Sequence, residues 1–173
     1  MGKKVISFAL TTQGIDRALR ELERYKRNFV RKVELLRQRV AEELAKEAES
    51  GFNGAIADDL VKGEPRTAQV SVTVDDRGAV TAVVADGEDA VWVEFGAGVY
   101  YNGAAGSSPH PHGAELGFTI GGYGKGNGKK KVWGFYEGGE LKLTHGTPAK
   151  MPMARAVTTV CQDMEKIARE VFG

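Results

Sequence analysis

The sequence predicts an α+β fold, in which a long N-terminal amphipathic helix and a C-terminal helix pack on an antiparallel β-sheet, with a long Gly-rich loop inserted between strands. Three observations predict this class. Apolar residues recur at steps of three and four over 15–50 and again over 152–172, which is the period of an amphipathic helix. In the part of the chain between these two ranges, apolar residues alternate with polar ones, as in strands. Eleven glycines lie between Gly96 and Gly128, where neither period is present.

Length and composition are those of one globular domain over residues 1–173. Residues 1–50 carry 12 basic and 8 acidic side chains, whereas residues 51–90 carry 3 basic and 8 acidic. This segregation suits contacts between neighbouring copies or partners, and a solvated helix face explains it equally well. Cys161 is alone and the apolar run after Met1 is short, so we expect a chain that folds in a reducing cytoplasm and has no membrane partner.

The N-terminal elements are a strand and a long helix. Residues 1–14 form a strand or arm, because Ile6, Phe8 and Leu10 alternate with polar or small neighbours. The helix covers 15–50 and is expected to end at Gly51, a residue that favours helix C-termini. About 35 residues make a rod of about 50 Å, longer than its own core requires. We therefore expect part of this helix to pack on something else, and coiled-coil pairing remains an alternative.

The remaining elements follow in order. Strands are predicted over 67–95: a hairpin around the DDRG turn, then AVWVEF with Phe95 on the apolar side and Glu94 on the other. A second hairpin is predicted over 132–145, on either side of an EGG turn. The C-terminal helix is expected to start at Pro152, since proline is tolerated in the first turn.

The predicted Gly-rich loop, 96–131, contains glycines followed by lysines, a composition that could bind phosphate through backbone N–H groups. In GGYGKGNGKKK, Lys129 follows a glycine, but the residue five before that glycine is Tyr123 and the residue after Lys129 is Lys130. A Walker loop requires glycine and Ser/Thr at those two positions, so the spacing fails. No G-x-G-x-x-G register fits either. We predict a flexible basic assembly loop without a cofactor, in which Lys129, Lys130 and Lys131 form the basic run.

His110 and His112 are the residues in this loop that carry potential chemistry. Two imidazoles two residues apart point to opposite sides of an extended segment, so one metal ion is poorly chelated unless Pro111 redirects them. His145, Glu94 or Glu115 would have to complete a metal site, and nothing in the spacing selects one of them. A hydrolase would pair a carboxylate with a histidine and use Ser107 or Ser108 as nucleophile. The favoured interpretation is a surface loop stiffened by prolines, in which the histidines are solvated or make ordinary hydrogen bonds.

Two motifs, in order along the chain, resemble a known family. VEFGAG contains an E-F-G-x-G step at Glu94 to Gly98, and HGTPAKMPMARAV contains G-x-P-A at Gly146 to Ala149, leading into the last helix. Together with the opening strand and the long helix, they resemble the tail-component proteins of long-tailed bacteriophages, which act as tail-completion or head–tail connector proteins. The resemblance covers most of the chain, and it rests on the order and spacing of the motifs.

The resemblance implies a non-enzymatic structural protein of the virion, acting at the neck or tail end in tail completion or head–tail joining, as a ring. It would be made in the cytoplasm of a bacterial host and encoded by a phage or prophage. The implied partners are other copies of the chain, the head–tail connector, tail-tube or tail-terminator proteins, and nonspecifically bound DNA in the channel. The alternatives are a metal-assisted hydrolase that uses His110 and His112, or a nonspecific DNA-contacting module.

The expected assembly loop presents aromatic, histidine and lysine side chains to a neighbouring subunit or partner ring. The residues assigned to it are Tyr100, Tyr101, His110, His112, Tyr123, Lys129, Lys130 and Lys131. The residues assigned to the family motifs and the core are Glu94, Phe95, Gly96, Gly98, Gly146, Pro148 and Met153.

Overall fold

The structure, a computed structural model, describes residues 5–61, 70–87, 89–96, 110–113, 115–116, 133–144 and 149–173. Three helices and two β-hairpins are present in these ranges, which confirms the predicted α+β class. In chain order they are α1 (Thr12–Val61), β1 (Ser71–Asp76), β2 (Thr81–Asp86), α2 (Ala90–Phe95), β3 (Trp133–Glu137), β4 (Glu140–Thr144) and α3 (Pro152–Phe172).

α1 and α3 pack against each other in antiparallel directions. Pro152 at the start of α3 lies against Gly51 of α1, and the ring of Phe172 at its end lies 6.0 Å from that of Phe29. Small residues make close packing possible, because the buried positions of α1 include alanines spaced seven residues apart. The buried residues of the two helices are Ala41, Ala48, Phe52 and Ala55 of α1 and Pro152, Ala156, Val160, Ile167 and Val171 of α3.

The predicted end of the first helix was wrong, because α1 continues through Gly51 to Val61. Gly51 is instead the position at which α3 comes closest. A Cβ placed on Gly51 would lie 2.9 Å from the Cβ of Pro152, nearer than carbon atoms normally approach. The absence of a side chain therefore allows the two helix backbones to meet there.

The first hairpin packs on α1. β1 and β2 pair antiparallel in a register that joins Ser71 to Asp86 and Asp76 to Thr81, and the turn passes through Gly78 with φ of 79°. Its inner end closes a hydrophobic core that contains Phe52, Ala55, Val70, Ala90 and Val93, with Val72, Ala85 and Met153 packed against it. This core joins α1, the hairpin, α2 and the start of α3.

Two predicted strands are not strands in the structure. Residues 5–10 form no strand, and AVWVEF forms the short helix α2. Ala90, Val93 and Glu94 are its buried residues, a spacing of three and four that suits one face of a helix. Six residues of alternating polarity are too few to distinguish the two periods, and burial of both Val93 and Glu94 requires the helical one.

The second hairpin joins β3 and β4 in a register that pairs Trp133 with Thr144 and Glu137 with Glu140. The described strands thus form two separate two-stranded sheets, whereas the sequence predicts a single sheet. The predicted Gly-rich loop falls mainly outside the described residues. Among the helices that the structure describes, none combines the length and apolarity needed to cross a membrane.

Candidate functional site

The carboxylate of Glu94 binds the N-terminus of α3. Its Oε2 accepts a hydrogen bond from the backbone N–H of Met153 at 2.7 Å, and its Oε1 accepts one from Ala154 at 2.9 Å. These amides belong to the first turn of a helix and have no partner within it. A negative charge there is also stabilised by the helix dipole. Glu94 therefore caps a helix that begins about sixty residues further along the chain.

The local sequence explains why α3 needs this external cap. Met151 precedes the helix in the left-handed conformation, with φ of 56°, and makes no side-chain capping bond. Pro152 follows and has no N–H of its own. A backbone hydrogen bond of 2.8 Å from Lys150 N to Val93 O joins the residues before α3 to α2. α2 and the start of α3 are thus joined by main-chain and side-chain bonds together.

His110 completes the environment of the Glu94 carboxylate. Its Nε2 lies 2.9 Å from Oε1 of Glu94, and the side chains of both residues are only 7% exposed. Its Nδ1 accepts a hydrogen bond from the backbone N–H of His112 at 3.0 Å. These bonds are satisfied together by the neutral imidazole with its proton on Nε2. Both ring nitrogens are therefore engaged within the protein.

Phe95 and Gly96 support the same junction. The ring of Phe95 is half-buried and lies 4.2 Å from that of His110, measured between centroids. Gly96 has φ of 76° and its N–H donates to Trp92 O at 2.8 Å, which ends α2. Only glycine adopts this conformation without strain. The first three residues of the E-F-G-x-G motif thus have structural roles: a cap, a ring contact and a helix stop.

His112 lies outside this buried junction. Its Nδ1 is 3.1 Å from Oε2 of Glu115, and both side chains are largely exposed. The rings of His110 and His112 are 6.0 Å apart between centroids. The structure therefore pairs each histidine with a different carboxylate, one pair buried and the other at the surface.

An apolar groove of about 630 Å³ lies beside this junction, between β2, α2 and α3. Four side chains that line it remain exposed: Val84 at 42%, Val91 at 44%, Leu116 at 57% and Val157 at 46%. Phe52 and Met153 form part of its wall, and His110 and Glu94 lie along it. We call this surface the apolar groove.

A second apolar surface lies on the N-terminal part of α1. Ile15, Leu19 and Leu22 are 43%, 53% and 55% exposed. Their spacing of four and three residues places them on one face. α3 ends beside Phe29, so the helix runs about 25 Å from that contact back to Thr12. We call Ile15, Leu19 and Leu22 the projecting face.

The turn of the first hairpin is tied to α1 by Asp76. Its Oδ1 accepts hydrogen bonds from Gly78 N at 3.0 Å, from Arg37 Nη2 at 3.3 Å and from the Thr81 hydroxyl at 3.3 Å. The Gly78 amide, followed by the Arg37 charge and the Thr81 hydroxyl, lowers the pKa of Asp76. This network fixes the hairpin relative to the middle of α1.

The predicted site residues divide between this junction and segments that the structure does not describe. Glu94, Phe95, Gly96, His110 and Met153 come together, and His112 lies next to them. The others lie outside the described residues: Gly98, Tyr100, Tyr101, Tyr123, Lys129, Lys130, Lys131, Gly146 and Pro148. The backbone contacts of Val93, Lys150 and Ala154 were not predicted, because backbone partners leave no mark on residue type.

Within the described ranges, no group of three or more His, Cys, Asp or Glu side chains is arranged to hold a metal ion. Comparisons with protein-family models, with curated proteins and with solved structures found no match to the chain.

Proposed function

We propose that the protein is a non-enzymatic structural component of a phage virion, which acts at the neck or tail end in tail completion or head–tail joining and assembles as a ring. Its partners would be further copies of itself, the head–tail connector, and tail-tube or tail-terminator proteins, with nonspecific contact to DNA in the channel.

The observation that carries the proposal is the projecting face of α1. Ile15, Leu19 and Leu22 lie beyond the end of α3 and are each about half exposed. Apolar side chains grouped on one surface mark sites of protein interaction. A helix that is longer than its own core requires is what a subunit of an assembly would use to reach its neighbour.

The contacts of Glu94 support the same proposal. Glu94, from the E-F-G-x-G step, binds the first turn of α3, which follows the G-x-P-A element. The carboxylate of the first motif thus binds the helix that follows the second motif in sequence. Since both carboxylate oxygens accept backbone bonds and both ring nitrogens of His110 are engaged, a structural role accounts for these residues without catalysis.

The test is a null mutation in the phage or prophage that encodes the chain. We expect particles in which heads and tails form but are not joined, or in which tails lack a completed end, as seen by electron microscopy. Expression of the wild-type chain in trans should restore joined particles. Mass spectrometry should find the protein in purified wild-type virions. Infectious particles of normal shape from the null mutant would contradict the proposal.

A further inference from the structure

We propose that the projecting face of α1 in one copy docks into the apolar groove of the next copy, so that each subunit uses two different surfaces to contact its two neighbours. This contact deepens the proposed ring and rests on that function for its biological setting. It specifies both surfaces and the partner, which is a second copy of the same chain.

The projecting face has the pattern of a helix that docks in a groove. Ile15, Leu19 and Leu22 stand at positions i, i+4 and i+7, which are the anchor positions of helix-in-groove recognition. Each leaves about half of its surface exposed. The residues continue the stripe that packs on α3 further along α1, so this face is already suited to contact an apolar surface.

The apolar groove offers a matching surface. Val84, Val91, Leu116 and Val157 line its volume of about 630 Å³, and all four side chains are substantially exposed. Its wall includes Phe52 of α1, a buried residue of the hydrophobic core. A row of aliphatic anchors can therefore be buried against side chains that already have fixed positions.

The two surfaces cannot meet within one chain. Each surface includes a residue of the same continuous helix, since Phe52 of the groove and Leu22 of the projecting face both belong to α1. A rise of about 1.5 Å per residue separates them by about 45 Å along the helix axis. A contact between them therefore has to join two molecules.

Charge favours the pairing of these two surfaces. The helix around the projecting face carries five basic and three acidic side chains, which are Arg17, Arg20, Arg24, Lys26 and Arg27 with Asp16, Glu21 and Glu23. Three acids directly adjoin lining residues in sequence: Asp86, Asp89 and Glu115, the last of which pairs with His112. Arg155, the nearest basic residue on α3, instead lines a crevice on the side of Glu47 and Ser50. Opposite charges around apolar contacts set the orientation of partners.

A contact between two different surfaces of the same chain repeats from one subunit to the next. Such heterologous contacts generate a ring when the rotation closes and a filament when it does not. A coiled coil between two projecting faces would instead use the same surface twice and stop at a dimer. These two arrangements predict different behaviour when each surface is disrupted separately.

The experiment uses two double variants of the full chain. Leu19→Asp with Leu22→Asp disrupts the projecting face, and Val84→Arg with Val157→Arg disrupts the groove. All four side chains are half exposed, and circular dichroism checks that each variant is folded. The matched control is Leu35→Asp, a leucine of α1 that is 44% exposed and lies on the opposite side of the helix. Sedimentation velocity measures association over a series of concentrations.

Docking of the projecting face into the apolar groove predicts that the wild type and Leu35→Asp form oligomers larger than dimers, and that each double variant alone is monomeric. Each of the four substitutions in the projecting face and the groove should weaken association by at least about tenfold. A mixture of the two double variants should form a one-to-one dimer and nothing larger, because only one intact pair of surfaces remains. Raising the salt concentration should weaken all of these contacts.

Three results would overturn the docking. They are a wild-type chain that is monomeric up to about 1 mM, a groove variant that still dimerises alone, and a mixture of variants that does not associate. Failure here is separable from failure of the proposed function. If the protein is present in virions and is needed for joining heads to tails, but the double variants still support joining, then the proposed function holds and the proposed docking contact is refuted.

Discussion

Replacing Gly51 by alanine should destabilise the protein, although the same change in most helices would stabilise it. Alanine is favoured over glycine by about 1 kcal/mol inside a helix. At Gly51, however, the new Cβ would lie 2.9 Å from Pro152 Cβ and 3.3 Å from Pro152 Cα. Both atoms belong to a rigid ring at the start of α3, so α3 has to move. Overpacking of this kind costs about 1–3 kcal/mol, which equals or exceeds the gain in helix propensity.

Gly54 is the matched control, because it lies one turn further along α1 and no described atom lies within 4 Å of its added Cβ. Gly54→Ala should stabilise the protein by about 0.5–1 kcal/mol. The two variants should therefore differ by about 1–3 kcal/mol in free energy of unfolding, measured by urea denaturation followed by circular dichroism. Equal stabilisation by both substitutions would refute the close approach of α1 and α3 at Gly51.

The remaining predictions concern the junction and the hairpin turn. Glu94→Ala should lower the free energy of unfolding by about 3 kcal/mol or more, since buried helix amides lose a charged partner. The exposed Glu115→Ala should change it by about 0.5 kcal/mol or less. Equal effects of the two substitutions in urea denaturation would argue against capping of α3 by Glu94. His110→Ala should lower the free energy of unfolding by about 2–3 kcal/mol. His112→Ala should lower it little, because the backbone N–H that donates to His110 remains. Thermal unfolding of both variants tests this. Asp76 has a lowered pKa in the folded state, so its stabilising contribution is present above the ordinary aspartate pKa and is lost as the pH falls through the lowered one. The stability difference between wild type and Asp76→Asn should therefore shrink in acid, and a difference that is independent of pH would contradict this.

The long helices and hairpins could be predicted because their signals are local. α1 and α3 keep their apolar period over many turns, and Pro152 marks the start of α3 as the sequence predicts. The end of α1 could not be predicted, because the role of Gly51 depends on Pro152, about a hundred residues away. The sequence shows a glycine in a helical pattern, but it does not show which backbone approaches it.

The junction illustrates the same limit at the candidate site. Glu94 was predicted to lie on the face of a strand opposite Val93 and Phe95, yet it is buried in a helix and bound to the amides of Met153 and Ala154. A buried carboxylate whose partners are backbone groups carries no sequence signal of its own. The exposure of Ile15, Leu19 and Leu22 fits the expectation that α1 is longer than its own core requires, whereas the external contact stays a prediction.

Restoration of infectivity in vitro tests the central claim most directly. Purified wild-type protein is added to an extract of phage particles that lack it, and infectious titre is measured. We expect the wild type and Leu35→Asp to restore the titre, and the Leu19→Asp, Leu22→Asp variant not to restore it. Failure of wild-type protein to raise the titre, in an extract that contains intact heads and tails, would contradict a role in joining them.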